Sequence, residues 1–165
     1  MYSIAISVAS CLRANTRVDV AWIIDSQNIE VADRTEAIAI TPGGGRMGDL
    51  VSGALDAQLV DVASRNSATG RFVRLRISPV DALIAGIASG GEFGCLIAPA
   101  STLPAELWSL LVAREPVCLV ANLENDSVTD FVLYTESSID QADSVAQALF
   151  ERGKSDSEIV NNKII

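Results

Sequence analysis

The order in which helical and strand-like patterns follow one another constrains the fold of this chain more than any other feature. Apolar residues recur at helical spacing over residues 2–14 and 54–64, and two short apolar runs typical of strands, 18–24 and 36–41, lie between them. The same order returns later in the chain, at residues 104–113, 117–122, 129–134 and 139–152. This weak repeat predicts an α/β domain with one mixed sheet flanked by helices, built from two similar helix-strand-strand-helix halves.

The remaining segments complete a single domain. Residues 71–77 and 93–98 have strand patterns and lie between the two halves, whereas residues 153–165 are mostly polar. At 165 residues, with 49% apolar and 20% charged residues, the chain has the size and composition of one globular domain. We therefore predict a domain at residues 1–152 followed by a polar C-terminal tail at residues 153–165.

The charge of the chain limits the partners that it can bind. It has 12 basic and 21 acidic residues, which give a formal net charge of −9. A protein of this charge repels polyphosphate surfaces, so we expect neither nucleic acid nor an anionic membrane as a partner. The sequence also lacks an uninterrupted apolar run of the roughly 18 residues needed to span a bilayer. We therefore expect a cytoplasmic protein.

The residue types that commonly carry catalysis are scarce. Histidine is absent, which excludes histidine-based triads, histidine metal sites and imidazole acid–base catalysis. The cysteines, Cys11, Cys95 and Cys118, are widely separated and lie in apolar surroundings, so we expect buried reduced thiols rather than disulfides or a zinc site. Because no nucleophile and base pair can be identified, we expect a protein that is not an enzyme.

The stretch TPGGGRMG, residues 41–48, contains the G-x-G-x-x-G spacing of a dinucleotide-binding loop. Such a loop needs a strand that runs directly into its first glycine, and here a Thr-Pro pair intervenes. A phosphate-binding loop would instead need lysine and a hydroxyl residue where Asp49-Leu50 stands. We predict that these glycines form the tight turn of a hairpin, with dinucleotide binding as the alternative.

Two other glycine elements are stronger candidates for a ligand site. Ser52-Gly53-Ala54 leads into the helix predicted at residues 54–64, where backbone N–H groups and the helix dipole can hold an anion; Ser52 can equally serve as an ordinary N-cap. Ser89-Gly90-Gly91 precedes the strand at residues 93–98 and forms either a similar backbone pocket or a flexible loop.

Four sequence blocks occur in an order shared with a known family. They are VAWIIDSQ, AIAITPGGGRMGDLVSGALDAQLVDVA, SGGEFGCLIAP and LWSLLVAREPVCLVANL, and together they span most of the chain. In these blocks the sequence resembles the N-terminal domain of the xanthine dehydrogenase accessory protein family, of the XdhC/CoxI type. The resemblance implies a maturation chaperone that handles molybdopterin, the organic part of the molybdenum cofactor. It also implies a molybdenum hydroxylase apoenzyme, such as xanthine or carbon monoxide dehydrogenase, as a partner, and a homodimer.

The resemblance also implies the residues of a cofactor site. Backbone N–H groups at residues 52–54 would hold the phosphate, the carboxylate of Asp56 would accept hydrogen bonds from pterin nitrogens, and residues 89–91 would close the far side. Arg46 is the nearest basic candidate. The candidate cofactor-binding residues are thus Ser52, Gly53, Ala54, Asp56, Ser89, Gly90, Gly91 and Arg46.

The chain departs from the family pattern at positions that matter for chemistry. Ala54 and Ser89 stand where the family has cysteines, so sulfur handling by those thiols is lost, whereas binding through backbone N–H groups is not. Cys95 lies six residues after Ser89 and could approach the same loop, but its place on a core strand favours a packed thiol. Arg34 stands where the family has a basic residue, in the loop at residues 31–36. The leading hypothesis is a molybdopterin-binding insertion chaperone. The alternatives are an interaction or scaffold domain that has lost cofactor binding, and a nucleotide-binding enzyme that uses residues 43–48.

Overall fold

The computed structural model describes residues 1–27, 36–153 and 158–165. Arg34 and most of the loop predicted at residues 31–36 lie outside the described residues. The helices are α1 (Ala5–Arg13), α2 (Asp56–Ser64), α3 (Pro79–Ile84), α4 (Leu107–Val112) and α5 (Ser144–Glu151). The strands are β1 (Asp19–Gln27), β2 (Ala37–Ile40), β3 (Arg46–Met47), β4 (Arg71–Ile77), β5 (Gly91–Pro99), β6 (Val117–Glu124), β7 (Ser127–Thr135), β8 (Ile159–Val160) and β9 (Lys163–Ile164).

All nine of these strands belong to one open sheet in the order β3-β2-β1-β5-β4-β7-β6-β9-β8. The predicted class, a single α/β domain with helices beside one sheet, is confirmed. The sheet differs from the predicted mixed sheet because every strand pair in the described part of the chain is antiparallel. Tight turns join β2 to β3, β6 to β7 and β8 to β9, and such turns can only connect antiparallel neighbours.

The two predicted halves have the same order of elements in the structure. The helix α1, the strands β1 and β2 and the helix α2 form the first half, and α4, β6, β7 and α5 form the second. The first helices of both halves pack on one face of the sheet, called here the first face. The second helices, α2 and α5, pack on the opposite face, called here the second face.

Alternation along the strands produces these two faces. In β1, Val20 and Trp22 lie in the apolar cluster of the first face, whereas Ala21 and Ile23 lie in that of the second. Because both faces are covered by helices, β1 is apolar at the consecutive positions 20–24 rather than at every second one. Each fully buried leucine or isoleucine of these clusters contributes about 1.5–3 kcal/mol to the stability of the fold.

The C-terminal residues correct one prediction. Instead of a polar tail, β8 and β9 form a hairpin at the end of the sheet, in which Ala121 of β6 pairs with Ile164. Ile164 and Ile165 are buried. The turn between the strands is Asn161-Asn162, with φ of 44° and 64°, a left-handed conformation that asparagine tolerates better than most residues. Residues 158–165 thus belong to the sheet, with Ile164 and Ile165 in the core, and residues 154–157 lie outside the described residues.

The described helices give no sign of a membrane segment, since none of them is long and apolar enough to cross a bilayer.

Candidate functional site

The loop that leads into α2 has an unusual backbone. Val51, Ser52 and Gly53 follow one another with φ of 52°, 54° and 82°, all in the left-handed region. Valine is among the residues least suited to this conformation, which costs about 1–3 kcal/mol for a residue that is not glycine. The predicted N-cap role of Ser52 is wrong, because α2 begins at Asp56 and its N-cap is Leu55, without a side-chain capping bond.

Part of the hydrogen-bonding capacity of this loop is used within the loop itself. The Gly53 N–H donates to the Leu50 carbonyl at 3.0 Å, and the Ala54 N–H donates to the Val51 carbonyl at 3.1 Å. These two groups, expected to hold a phosphate, are therefore engaged in this conformation. The exposed hydroxyl of Ser52 has no hydrogen bond to any described residue, so Ser52 is the better placed of the three to meet a ligand.

The carboxylate of Asp56 lies directly beneath this loop. Asp56 is only 8% exposed, and its Oδ2 accepts a bond from Arg46 Nη1 at 3.0 Å. Its Oδ1 is buried and has no hydrogen bond within the usual distance and angle limits to a described residue, the Leu50 N–H being the backbone donor close to this carboxylate. Burial raises the pKa of Asp56 above its usual value and the nearby Asp49 adds to the rise, whereas Arg46 and the backbone N–H of Leu50 oppose it. A buried acceptor left without a donor is costly, by about 1–3 kcal/mol, unless something supplies the missing bond.

Arg46 is positioned by the glycine hairpin. The hairpin prediction is confirmed, since the Thr41 N–H donates to the Gly45 carbonyl at 2.9 Å and β2 pairs with β3 across the turn. A Cβ on Gly44 would lie 4.0 Å from Val60 of α2, so the tip of the hairpin lies over that helix. Arg46, the first residue of β3, reaches from there to Asp56 and remains half exposed.

The second predicted loop, residues 89–91, lies at the start of β5. Gly91 pairs with Ile77 at the end of β4, and Ser89 is exposed. A Cβ on Gly90 would lie 2.5 Å from the Ile77 carbonyl oxygen and 2.9 Å from the Pro79 nitrogen. Close backbone packing therefore explains Gly90 without any ligand.

The structure connects the two loops through α2 and β4. The side chain of Gln58, two residues after Asp56, donates to the Arg76 carbonyl at 2.9 Å and accepts from the Arg76 N–H at 3.4 Å. The neighbouring Ile77 is the residue that pairs with Gly91. Both loops also adjoin the same apolar cluster, which contains Leu55 and Ile77. Ser52, Asp56 and Arg46 thus form one group at the start of α2, and residues 89–91 lie across Gln58 from it.

Two contacts at this site involve residues that sequence reasoning missed. Glu36 accepts a bond from the Val51 N–H at 3.4 Å, which ties the strained loop to the start of β2. Gln58 forms two hydrogen bonds to the backbone of Arg76 on β4. No motif in the sequence marks Glu36, whereas the position of Gln58 in the first turn of α2 was a usable signal.

The thiols are not arranged for metal or sulfur chemistry. Burial raises the pKa of Cys95 to about 12, and burial together with Asp143 raises that of Cys118 to about 11. Both therefore stay protonated at neutral pH, and a thiol rather than a thiolate is a poor ligand and nucleophile. Cys95 points into the apolar cluster of the second face as a core residue. Within the described residues, no group of three or more cysteine or carboxylate side chains could hold a metal ion.

A separate polar cluster lies near the other end of α2. Arg17 binds the buried Asp19 through two bonds, of 3.1 and 2.8 Å, and also donates to the Ser67 carbonyl at 2.8 Å. Arg71 donates to the Val62 carbonyl at 3.1 Å. These bonds tie β1 and β4 to the end of α2, so the cluster has a structural role.

Comparisons with known proteins establish the fold but not a family. No family model matches the chain, and no curated protein matches it. Among solved structures, the chain is similar to one described as a xanthine dehydrogenase from Bacillus halodurans, with 17% sequence identity and a TM-score of 0.60. The similarity covers 83% of this chain and 44% of that protein, so this chain spans less than half of its length. At this identity the likeness shows a shared fold alone.

Proposed function

We propose that this protein is a carrier, not an enzyme, that binds the molybdopterin form of the molybdenum cofactor and delivers it to a molybdenum hydroxylase. The observation that carries the proposal is the buried Asp56, whose Oδ1 lacks a partner directly below a strained loop. The fold shared with a solved protein described as a xanthine dehydrogenase supports the same enzyme context.

The chemistry of the site fits the organic part of this cofactor better than its metal. A pterin ring offers several N–H donors on one edge, and the unpaired acceptor of Asp56 is suited to receive one of them. Arg46 is half exposed and carries the positive charge that a phosphate or an anionic sulfur group would need. Ala54 and Ser89 provide no thiolate, so this chain would hold the cofactor through its pterin and phosphate groups.

The Arg46–Asp56 ion pair gives the site a way to respond to its ligand. When a phosphate draws Arg46 away, Asp56 loses the charge that stabilises its ionised form, and its already raised pKa rises further. A donor from the pterin would then restore a partner to the carboxylate. Ligand binding would thus replace the Arg46–Asp56 ion pair with two contacts, one between Arg46 and the phosphate and one between the pterin and Asp56.

The proposal is tested by measuring retention of molybdopterin. Purified protein is incubated with cofactor released from a molybdenum hydroxylase, desalted, and assayed for bound pterin by fluorescence after oxidation. Wild-type protein is expected to retain pterin. Asp56→Asn and Arg46→Gln should each bind about 10- to 100-fold more weakly, because each removes a charged hydrogen-bonding group, worth about 1.5–3 kcal/mol.

The same helix provides a matched control. Asp61 and Arg65 form an ion pair of 2.7 Å on the exposed surface of α2, so Asp61→Asn removes the same charge outside the site. This variant should retain pterin like the wild type. Lack of retention by the wild type, or equal retention by all variants, would contradict the carrier function. The interaction or scaffold role, which the loss of both family cysteines favours, would then take its place.

A further inference from the structure

The left-handed turn at residues 51–53 is held in place by the start of β2. Just before the turn, Gly48 packs so closely against β2 that a Cβ there would lie 2.4 Å from the Ala37 carbonyl oxygen. Glu36, the residue before Ala37, accepts a hydrogen bond from the Val51 N–H through Oε2 at 3.4 Å. The strand β2 is itself paired with β1 and β3. Two contacts with the start of a fixed strand therefore restrain the turn.

The residue types in the turn oppose the conformation in which it is held. A positive φ is unfavourable for valine and serine because each has a Cβ, whereas glycine adopts it freely. Two backbone bonds offset part of this strain, from Gly53 to Leu50 and from Ala54 to Val51, and the Val51 side chain packs against the apolar cluster of the second face. The bond to Glu36 adds a contact from outside the turn.

The sequence also favours a second conformation of the same residues. The helix α2 begins at Asp56 with Leu55 as its N-cap, although leucine has no side-chain group that could form a capping bond. Ser52, three residues earlier, is of a type preferred at the N-cap, and it is exposed. If residues 51–53 leave the left-handed region, α2 can begin directly after Ser52. The N–H groups of the next two residues would then leave their bonds within the turn and become free donors at the helix start.

We propose that residues 51–53 form a two-state turn, that Glu36 is the positioning residue that holds its left-handed state, and that release of this state opens the candidate site to its ligand. The inference rests on the proposed carrier function, because it assigns the regulation of that site. In the left-handed state the N–H groups of Gly53 and Ala54 are engaged, and a Cβ on Gly53 would lie 3.6 Å from Oδ2 of Asp56. In the released state these N–H groups are available to the phosphate of the ligand.

The two states determine how substitutions change the affinity for the ligand. A ligand that uses the released N–H groups binds the released state better and shifts the turn towards it. The affinity of the whole protein is then reduced by the small fraction of molecules in which the turn is released. A substitution that weakens the left-handed state therefore raises the affinity, which the loss of a direct ligand contact cannot do.

The first measurement follows the turn in the full chain without ligand. A positive φ brings the amide proton of a residue close to its own α proton, so a strong NOE between these protons reports the left-handed state. Wild-type protein should show this NOE at Ser52, and Glu36→Ala should lose most of it. Glu36→Gln should keep it, because its amide oxygen still accepts the bond from Val51. Adding Val51→Gly to Glu36→Ala should restore it, since glycine needs no external contact to adopt this φ.

The second measurement is the affinity for molybdopterin released from a molybdenum hydroxylase, taken from pterin retention over a range of cofactor concentrations. Glu36→Ala should bind about three- to tenfold more tightly than the wild type, and Val51→Gly about three- to tenfold more weakly. Glu36→Gln is the matched control for charge, because it removes the same carboxylate but keeps an acceptor for the Val51 N–H. It should bind like the wild type.

The outcomes separate the two proposals. An NOE that persists in Glu36→Ala, a loss of affinity in that variant, or a gain that Glu36→Gln shares would each overturn the two-state turn. Unchanged affinity of Glu36→Ala despite loss of the NOE would overturn control of the site by the turn and leave the carrier function standing. Absence of pterin retention in every variant would overturn the carrier function, and the NOE alone would then decide the two-state turn. If Glu36→Ala does not fold, Val51→Gly provides the test, and wild-type affinity in that variant contradicts the proposal.

Discussion

Gly48 and Gly43 belong to the same G-x-G-x-x-G spacing but have very different surroundings. Gly48 has φ of +75°, and a Cβ there would lie 2.4 Å from the Ala37 carbonyl oxygen and 2.8 Å from Ile4 Cγ2. A Cβ on Gly43 would meet nothing within 4 Å, and its φ is not left-handed. Packing against β2 and the N-terminal segment therefore explains the last glycine of the motif.

This difference predicts effects of very different size for the same substitution. Gly48→Ala should lower the free energy of unfolding by about 2–4 kcal/mol, because it combines a left-handed alanine with contact against rigid backbone. Gly43→Ala should change it by less than about 0.5 kcal/mol. Urea denaturation of both variants checks this. Equal stability of the two variants would show that the backbone at Gly48 adapts.

At the candidate site, some single-residue features could be predicted from the sequence and others could not. Asp56 could be located because the family pattern points to it, whereas helical spacing predicted α2 but placed its start too early, at residue 54. The left-handed Val51 and Ser52 could not, since their intrinsic preferences oppose this conformation and only the surrounding contacts impose it. Whether a carboxylate oxygen has a hydrogen-bond partner depends on the packing around it. The unpaired Oδ1 of Asp56 therefore could not be predicted from the sequence either.

At the scale of elements, α5 and β9 are joined through one side chain. Asp143 accepts bonds from the Val145 and Ala146 N–H groups at 3.1 and 2.9 Å as the N-cap of α5. It also pairs with Lys163 of β9 at 2.7 Å. The bond from Lys163 and the bond from Ala146 hold the pKa of Asp143 below its usual value of 3.8. The ionised form is therefore the one that stabilises the fold.

We expect Asp143→Ala to destabilise the protein by about 1 kcal/mol at pH 7, chiefly through loss of the cap. Lys163→Gln, which removes only the exposed ion pair, should cost less than about 1 kcal/mol. A lowered pKa contributes stability above the unfolded value of 3.8, and that stability is lost as pH falls through the folded pKa. The difference between wild type and Asp143→Ala in thermal unfolding should therefore shrink below about pH 4. A difference that does not change with pH would contradict the role of the ionised carboxylate.

Periodicity predicted most elements but missed those with few buried residues. The strand β4 has the predicted bounds, Arg71–Ile77, because its alternating pattern is strong. The helix α3 was missed, since only Ala82 is buried and no apolar face results; the Ser-Pro-x-Asp sequence that caps it was the available signal. The hairpin of β8 and β9 was missed for a similar reason. The sequence feature that indicates this hairpin is the Asn161-Asn162 turn, with Ile159-Val160 before it and Ile164-Ile165 shortly after it.

At the scale of the whole molecule, the C-terminal hairpin determines where the domain ends. A chain that stops after Gly153 would lose Ile164 and Ile165, which are 2% and 5% exposed, and would uncover β6. The loss of two buried isoleucines should cost up to about 6 kcal/mol. At roughly 2–4 °C per kcal/mol, we expect Tm to fall by up to about 12–24 °C.

Two point variants control for the truncation itself. Ile164→Ala should destabilise the full chain by about 2–4 kcal/mol, whereas Ile159→Ser, at a position that is 40% exposed, should have little effect. Differential scanning calorimetry of the three proteins makes the comparison. An unchanged Tm in the truncated chain would restore the boundary predicted at residue 152.

The two outermost strands have a consequence for how this protein avoids fibrous assembly. The sheet ends in β3 on one side and β8 on the other, and each is only two residues long. An end strand of ordinary length would offer a row of unpaired N–H and carbonyl groups onto which a misfolded neighbour could add, strand upon strand, as in amyloid. End strands this short provide little of that template at the two margins of the sheet, which disfavours the addition of further strands there.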